Sequence, residues 1–406
     1  MNAILKNRPL WSLSFGHLAV DLYNNILPVA YPLLMSSLEL DYSRIGLVAT
    51  CSTLVSFITL PLFGYVADRF GSRFMASVGV AWIALCMGLV GLMPSYEALL
   101  VLVSGAALGS AAYHSQGMAN ASRVSDSHRA GSMSIFSTGG NLGHALSPLL
   151  AATAFRFFGL KGSLALIPLG VVAAPVLYRV MGRVEQKGRA ARLKEEALAS
   201  PEASSPAPPL AAARQRGVYL SLLALLSLLI MRSWFHQGLT NYIPLLYKGR
   251  GLAAEVGSGV LSAFLFGVTS GTIVGGFLSD RFGLGPVIFL TLLAASPIAF
   301  IFLHVAYPFS LVIGTVMGFL WGCVQAPVIV AGQNLFPGHL GAISGLMLSV
   351  SFATGGFGVY LIGRLADLYG LETGLNWLAV LPFAAALLGL AFFQLWRDKK
   401  LPEGNE

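Results

Sequence analysis

Long apolar stretches, each able to form a membrane-spanning helix, follow one another along almost the whole chain. A helix needs about 20 such residues to cross a hydrocarbon core of ~30 Å. Hydrophobic residues make up 56% of the 406 residues and charged residues only 10%, whereas soluble domains carry about 25% charged residues. The sequence therefore predicts an all-α integral membrane protein and excludes a soluble globular domain.

Hydropathy along the chain predicts twelve transmembrane helices. Neighbouring helices can satisfy the backbone around the glycines and prolines that occur inside these spans. The predicted spans cover residues 10–35, 44–67, 74–93, 98–120, 132–157, 163–182, 218–246, 256–278, 286–305, 309–331, 342–365 and 374–396. The first span is too long for a cleavable signal sequence and contains Asp21, so we expect it to remain as a membrane helix.

A short charged hinge occurs twice, at equivalent places in the two halves of the chain. GYVADRFGSR runs from Gly64 to Arg73, between the second and third predicted helices, and GFLSDRFG runs from Gly276 to Gly283, between the eighth and ninth. Such repetition is typical of transporters built from two related halves, so we predict two pseudo-symmetric six-helix bundles. The predicted division is 1–182 for the first bundle, 183–217 for a flexible cytoplasmic linker, 218–396 for the second bundle and 397–406 for a cytoplasmic tail.

The distribution of lysine and arginine predicts the orientation of the helices. With a cytoplasmic N-terminus, most of the 25 basic residues fall on the cytoplasmic side, as basic loops do. We therefore expect both termini in the cytoplasm of a bacterium, with the chain in its inner membrane. The net charge of +8 suits loops at an anionic lipid surface and indicates no nucleic-acid partner. The three cysteines lie within apolar spans and are expected to be packing thiols.

The paired hinges carry a family resemblance. The residues that match the family's loop pattern are Gly64, Asp68, Arg69, Gly71 and Arg73 in the first copy and Gly276, Asp280, Arg281 and Gly283 in the second. With twelve helices around them, they resemble the major facilitator superfamily, which implies a transporter fold. A carboxylate near arginines and a helix N-terminus forms a charge cluster that must break when the bundles rock apart, so we predict that the hinge residues act in gating. The alternative is that these charges only keep the hinge in the cytoplasm.

The two copies of the hinge are unequal. Gly285 stands where the second copy should have its last basic residue. We therefore expect the turn at Asp68 to control the cytoplasmic gate and the turn at Asp280 mainly to mark the inherited symmetry.

A narrower resemblance lies in the fourth and fifth predicted helices. The run from Ala111 to Ala152 is similar to the fosmidomycin-resistance antiporters, in which a histidine after an aromatic residue precedes a glycine-rich opening to helix five; here these residues are Tyr113 and His114. The resemblance implies efflux of a small anionic solute or drug in exchange for protons. Gln116 stands where a glutamate is expected, so a carboxylate that could carry a proton is absent there.

Polar side chains inside the spans are the candidates for binding the substrate. A polar group at membrane depth is costly unless it faces a cavity or a partner. In the first helix, polar residues recur about one turn apart and form a single polar face. The motifs NILP in the first helix and NYIP in the seventh indicate that these helices are equivalents. The predicted set is His17, Asp21, Asn24, Asn25, Tyr113, His114, Gln116, Asn141, His144, Arg232, His236, Asn241, Trp321 and Gln325.

Asp21 and Arg232 have the most specific expected roles. Asp21 is the only acid well inside a span, so we predict that it carries the coupling proton; a fixed ion pair with Arg232 and a capping role are the alternatives. Arg232 is expected to hold an anionic group through paired hydrogen bonds unless Asp21 neutralises it. One carboxylate against one arginine and four histidines makes the site neutral to positive, which suits a small anionic or zwitterionic molecule.

Two other functions compete with transport of a small organic anion. The intramembrane histidines and Asp21 could carry a transition metal, because imidazole suits such ions, but the histidines lie singly on different helices. A membrane sensor or an intramembrane enzyme would need a signalling domain or a clustered nucleophile and base, and neither pattern occurs. The chain also lacks a phosphate-binding loop. We therefore predict no enzymatic activity, no cofactor and no resident metal, in a chain that can act as a monomer.

Overall fold

The computed structural model describes residues 7–70, 73–123, 129–198, 212–335 and 340–397, which form helices joined by short turns. Long apolar segments with few charges favour helices here because a helix satisfies every backbone group internally. The α-helices are α1 (Arg8–Asn24), α2 (Ile26–Leu38), α3 (Tyr42–Phe70), α4 (Arg73–Leu89), α5 (Tyr96–Arg123), α6 (Arg129–Phe158), α7 (Ile167–Leu198), α8 (Ala212–Gly249), α9 (Ala254–Phe282), α10 (Leu284–His304), α11 (Phe309–Cys323), α12 (Gln325–Leu335), α13 (Leu340–Tyr369) and α14 (Leu371–Arg397). Two short 3-10 segments, Val90–Leu92 and Gly159–Leu166, complete the order.

Two pairs of helices are single spans interrupted by one residue. α1 ends at Asn24, four residues before Pro28, and α11 ends at Cys323, four residues before Pro327. Proline has no N–H for the carbonyl four residues earlier, and its ring crowds that carbonyl. Counting each pair as one span leaves twelve spans in the described residues, consistent with the predicted number. Nine stretches of these residues are long and apolar enough to cross a membrane.

The helices beside the predicted linker run further than the sequence prediction. α7 continues to Leu198 and α8 begins at Ala212, whereas the predicted linker covers 183–217. Residues 183–198 are rich in alanine, arginine, lysine and glutamate, which are strong helix formers, so this charged segment extends the helix. Residues 199–211 lie outside the described part of the chain, and the division into two bundles stays a prediction.

Glycines bring pairs of helices into close contact. In the first half α1 packs on α6 and α3 on α5, and in the second half α9 packs on α11. Gly267, Gly271 and Gly275 recur every fourth residue of α9, and a Cβ on any of them would lie 2.0–2.2 Å from a carbonyl oxygen of α11. Only glycine therefore allows this approach of the two backbones.

Polar contacts join the two halves near the start of α3. Asp367, close to the end of α13, accepts hydrogen bonds from the backbone N–H groups of Tyr42 and Ser43, each at 2.9 Å. On the neighbouring span, Lys248 at the end of α8 donates to the Pro32 carbonyl of α2. Further contact between the halves comes from α3 packing on α13, α6 on α9 and α2 on α8, and from the ion pair of Arg156 Nε with Glu255 Oε1 at 3.9 Å.

We expect Gly275→Ala to lower the melting temperature of the purified protein. The new Cβ would lie 2.1 Å from the Cys323 carbonyl oxygen, and overpacking of this kind costs about 1–3 kcal/mol. Gly276→Ala is the matched control, because a Cβ on that neighbouring glycine would meet nothing within 4 Å. Thermal unfolding followed by tryptophan fluorescence checks this, and equal melting temperatures for the two variants would contradict the packing.

Candidate functional site

Asp21 lies buried in the last turns of α1, against α6. It shares a helix face with His17, four residues earlier. Gly140 of α6 leaves the space for both side chains: a Cβ there would lie 2.5 Å from Asp21 Oδ2 and 2.6 Å from His17 Cε1. The glycine-rich opening of the fifth span therefore makes room for a polar group at membrane depth.

Three histidines from three helices surround the Asp21 carboxylate. His17 Nε2 of α1 lies 3.2 Å from Oδ2, His144 Nε2 of α6 lies 3.3 Å from Oδ2, and His114 Nε2 of α5 lies 3.1 Å from Oδ1. Asn24 Nδ2 donates to Oδ1 at 2.8 Å. We call these five residues the Asp21 cluster. All five belong to the predicted set of site residues, with four of them in contact with Asp21.

The second ring nitrogen decides which histidines can carry charge. His17 Nδ1 lies 2.8 Å from the Phe136 carbonyl oxygen, and His114 Nδ1 lies 2.8 Å from the Ser110 carbonyl oxygen. Each of these two rings therefore has an oxygen that can only accept on one side and the Asp21 carboxylate on the other. With Asp21 ionised, all four contacts are hydrogen bonds only when both rings carry both protons.

His144 has a different arrangement. Asn25 occupies the break between α1 and α2, and its Nδ2 lies 3.2 Å from His144 Nδ1 and 3.1 Å from the His144 carbonyl oxygen. An amide nitrogen only donates, so His144 Nδ1 accepts and its Nε2 carries the proton that faces Asp21. His144 is thus satisfied as a neutral ring, which leaves His17 and His114 as the rings that gain a contact on protonation.

Asp21 forms no ion pair with Arg232, which was one of the alternatives for this residue. Its ion-pair contacts in the described residues are with the three histidines. Arg232 lies on α8, in the other half of the chain, and makes no salt bridge to a described residue. The fixed pair is therefore the wrong alternative, and the two side chains belong to separate groups.

The same cluster offers ligands for a metal ion. One ligand atom from each of His17, Asp21 and His114 lies within 4.8 Å of the others. Imidazole and carboxylate are ligands that suit divalent transition metals. The sequence shows these histidines singly on separate helices, and the packing of α1 on α5 brings them together. The metal alternative therefore keeps a specific structural basis.

Arg232 belongs to a second polar group, in the other half of the chain. Its guanidinium lies 5.6 Å from the ring centroid of Trp321 of α11, which stacks against Phe235 at 4.2 Å. Among the described residues, the buried atoms Arg232 Nε, Trp321 Nε1 and His236 Nδ1 have no hydrogen-bond partner. His236 follows Arg232 by one helical turn, so both side chains lie on the same face of α8. Buried unpartnered groups cost about 1–3 kcal/mol each, which a ligand or water can relieve.

Several other predicted site residues hydrogen-bond mainly to the backbone. Tyr113 Oη donates to the Leu13 carbonyl of α1 (2.5 Å) and Gln116 Nε2 to the Phe63 carbonyl of α3 (3.0 Å), so both join α5 to another helix. Asn241 Nδ2 donates to the Gln237 carbonyl of its own helix (2.9 Å). The backbone carbonyl of Asn141 accepts from Thr269 of α9 at 3.4 Å, and Gln325, half-buried, is the first residue of α12.

Sequence analysis missed two residues of the site. Ser110 precedes His114 by one helical turn and fixes its ring, a spacing that the sequence could have revealed. Phe136 contributes its carbonyl oxygen and also stacks on His17, with ring centroids 4.1 Å apart. A contact made by a backbone carbonyl of another helix leaves no signal in the sequence.

The first hinge joins two helices, as the sequence predicts. α3 ends at Phe70 and α4 begins at Arg73, whose guanidinium lies over the Tyr178 ring at 5.0 Å. Gly71 lies outside the described residues. For Asp68 and Arg69 only the helix is described, and a Cβ on Gly64 would meet nothing within 4 Å. The gating role of this hinge stays a prediction.

The second hinge is described in full. α9 ends at Phe282, and Gly283 follows with φ 86°, a conformation that favours glycine. Asp280 and Arg281 are exposed, and the Arg281 guanidinium lies 5.3 Å from the ring centroid of Phe282. The backbone conformation at Gly283, the last glycine of the second hinge, thus favours glycine independently of any gating role.

Two relatives match this chain over most of its length. The "Fosmidomycin resistance protein" of Escherichia coli (strain K12) is 27% identical over 379 residues, which cover 93% of this chain and 91% of the relative. The "Uncharacterized MFS-type transporter YfnC" of Bacillus subtilis (strain 168) is 27% identical over 398 residues, covering 95% and 92%.

A solved structure shares the fold. A bacterial homologue of the human lysosomal transporter Spinster, in an inward-facing and occupied conformation, superposes with a TM-score of 0.77 at 14% identity and covers 97% of this chain and 98% of its own. The model of the family described as Major Facilitator Superfamily matches residues 13–359. With its helical spans and two related hinges, this chain belongs to the major facilitator superfamily of membrane transporters.

Proposed function

We propose that the protein is a secondary active transporter that exports a small anionic or zwitterionic organic solute in exchange for protons, by alternating access. The observation that carries the proposal is the Asp21 cluster, a titratable group buried among the helices of the first half, together with an arginine in the other half that makes no salt bridge to a described residue. Intramembrane ionisable groups of this kind mark ion and substrate pathways. The exported solute leaves through the inner membrane of a bacterium, both chain termini lie in the cytoplasm, and a monomer suffices.

The contacts between the halves support alternating access. Asp367 holds the first turn of α3 through two backbone N–H groups, and Lys248 ties α8 to α2. If both termini are cytoplasmic, these contacts lie at the outer side and seal it. Polar contacts of this kind can break when the first half rocks against the second. The hinge with Asp68, Arg69 and Arg73 acts at the opposite side in the proposed cycle.

The donors and acceptors of the cluster support proton exchange. With Asp21 ionised, His17 and His114 make their full set of hydrogen bonds only with two protons each, while Asn25 keeps His144 satisfied as a neutral ring. The proton-binding unit is therefore the carboxylate together with two imidazoles, which revises the role predicted for Asp21 alone. A change in hydration at the cluster would change how many protons it holds.

The second polar group supports an anionic substrate. Among the described residues, Arg232 Nε has no hydrogen-bond partner and the guanidinium makes no salt bridge, which supports a role for its charge in binding a ligand. Trp321 and His236 offer further unpartnered ring nitrogens. Such a set suits a carboxylate, phosphate or phosphonate group. The name of the Escherichia coli relative adds fosmidomycin, a phosphonate, as the first compound to test.

Asp21→Asn is expected to abolish the accumulation of labelled fosmidomycin driven by a pH gradient in proteoliposomes, while exchange at equal pH continues. The amide removes the charge that favours protons on His17 and His114 but leaves the Arg232 group intact. His304→Asn, which changes an exposed histidine at the end of α10, is the control. Equal loss of accumulation and exchange in Asp21→Asn would contradict proton coupling at this residue.

Arg232→Ala is expected to weaken fosmidomycin binding about tenfold or more. A hydrogen bond to a charged group contributes about 1.5–3 kcal/mol, and each 1.4 kcal/mol is tenfold in affinity. Arg156→Ala removes an exposed arginine and should leave binding unchanged. Calorimetry on the purified variants measures this, with an uncharged ester of the drug for comparison. An equal loss for the ester and the anion would refute an anion-binding role.

A transition metal is the second candidate substrate, favoured by the spacing of His17, Asp21 and His114. A thermal-shift comparison separates it from an organic anion, because a ligand that binds the folded state raises the melting temperature. We expect fosmidomycin to raise the melting temperature of the wild type and to lose this effect in Arg232→Ala. A rise with Zn²⁺ or Ni²⁺ that disappears in His17→Gln, with no response to anions, would favour metal transport instead.

A further inference from the structure

A long apolar groove lies between α10 and α14, on the surface of the second half. Its volume is about 640 Å³, within the range of about 300–1,000 Å³ that is typical of small-molecule sites. Its lining is apolar apart from Ser296 and Asn376, and the Ser296 hydroxyl joins the two helices by donating to the Ala379 carbonyl at 2.8 Å. Phe300 and Val380, which also line it, are each more than half exposed. In a membrane-spanning chain, an apolar surface of this kind faces lipid.

The groove extends over one leaflet of the bilayer. From Leu293 to Leu303, α10 rises about 15 Å, and from Glu372 to Phe383, α14 rises about 16 Å. Half of a hydrocarbon core of ~30 Å is about 15 Å. The groove therefore runs from one membrane surface to about the centre of the bilayer, as the acyl chain of a lipid does.

An ion pair stands at the end of the groove where α10 ends and α14 begins. Arg250, which follows α8, donates through Nε to Glu372 Oε1 at 2.9 Å, and its Nη2 lies 2.9 Å from the same oxygen. Arg250 Nη2 also donates to the Leu303 carbonyl, two residues beyond Ile301 of the groove lining. Glu372 precedes Asn376 by one turn of α14, so both lie on one face of that helix. The pair therefore bridges the two helices that form the groove.

Each member of the pair keeps an atom that can bind a headgroup. Among the described residues, neither Arg250 Nη1 nor Glu372 Oε2 has a hydrogen-bond partner, and the Glu372 side chain is 62% exposed. Nη1 donates and Oε2 accepts. A positive and a negative group side by side complement a ligand that carries both a phosphate and an ammonium, whereas the carboxylate repels a ligand that is only anionic.

We propose that the groove and the ion pair together bind one glycerophospholipid of the bilayer whose zwitterionic headgroup ends in a primary ammonium. One acyl chain lies along α10 and α14, the phosphate accepts hydrogen bonds from Arg250 Nη1, and the ammonium donates to Glu372 Oε2. The site uses no residue of the Asp21 cluster and none of the group around Arg232. The inference is therefore independent of the solute that the protein carries.

The end of the chain does not suit the groove. Residues 398–406 read DKKLPEGNE, a polar segment. They follow α14 at its far end, and the helix rises about 21 Å between Phe383 and Arg397. An apolar groove that ends at a charged pair matches a phospholipid better than it matches this segment.

Native mass spectrometry of the purified protein in detergent can compare lipids that have identical acyl chains. Phosphatidylethanolamine and phosphatidylcholine differ in the N–H groups of the ammonium, which are methylated in the choline lipid. We expect the wild type to bind the ethanolamine lipid about tenfold or more tightly, because the choline lipid cannot donate a hydrogen bond to Glu372. Equal affinities for the two lipids would overturn the proposed headgroup contact.

Glu372→Gln is expected to abolish the preference for phosphatidylethanolamine over phosphatidylcholine and to make the anionic phosphatidylglycerol the tightest of the three. The amide keeps the size of the side chain but leaves the charge of Arg250 unpaired. Glu255→Gln, which changes another exposed glutamate beside an arginine, is the matched control and should keep the wild-type order. A variant Glu372→Gln with a lower melting temperature but the wild-type order of affinities would show a purely structural role and overturn the proposal.

Val380→Trp tests the groove itself and does not disturb the ion pair. The indole fills the space of the acyl chain, so binding of all three lipids should weaken about tenfold or more. Val312→Trp makes the same change at an exposed position of α11 outside the groove and is the control. Because Val380 is exposed, this variant keeps the test open if Glu372→Gln fails to fold.

Unchanged lipid binding in Val380→Trp would overturn the groove as the site. A dimer of the wild type that disappears in Val380→Trp, with lipid binding unchanged, would assign the groove to a second copy of the chain and also overturn the proposal. These measurements contain no transported solute, so either result leaves the proposed transport function untouched.

Discussion

A carboxyl group inside a membrane-spanning helix must find strong hydrogen-bond partners, and the first half of this protein is arranged around that need. The effective cost of burying an unpaired charge is several kcal/mol. Here three helices each contribute an imidazole that contacts Asp21, and Gly140, which has no side chain, leaves the space for the carboxylate. The close packing of α1 on α6 brings Gly140 and His144 to this polar group.

The spans could be predicted well from the sequence because hydropathy responds directly to the thickness of the bilayer. The observed helices contain the predicted spans nearly everywhere, and the extension of α7 to Leu198 follows from helix propensity instead of hydropathy. The breaks before Pro28 and Pro327 were not predicted. NILP and NYIP contain equivalent prolines, yet Pro28 follows a break while Pro244 lies inside the continuous α8. Surrounding packing, which the sequence does not display, decides between the two outcomes.

The candidate site could be predicted as a set of residues but not as a set of contacts. The spacing of His17, Asp21 and Asn24 indicates one helix face, and these residues do meet in the structure. That His114 and His144 complete the group, and that Arg232 stays outside it, depends on how distant helices pack. The sequence suggests that the opposite charges of Asp21 and Arg232 form a pair. In the structure, Asp21 contacts residues of the first half and Arg232 lies in the second half.

The interruption at Asn25 divides the first span into two helices, α1 and α2, that can move relative to each other. α1 carries Asp21, and α2 contacts the opposite half through the hydrogen bond from Lys248 to the Pro32 carbonyl. Because the helical hydrogen bonds do not run continuously through Asn25, α1 and α2 can change their mutual tilt. Asn25, between the two helices, also hydrogen-bonds to His144 through its ring nitrogen Nδ1 and its carbonyl oxygen. A change in the tilt of α2 would therefore bear on Asn25, which hydrogen-bonds one of the three histidines around the carboxylate.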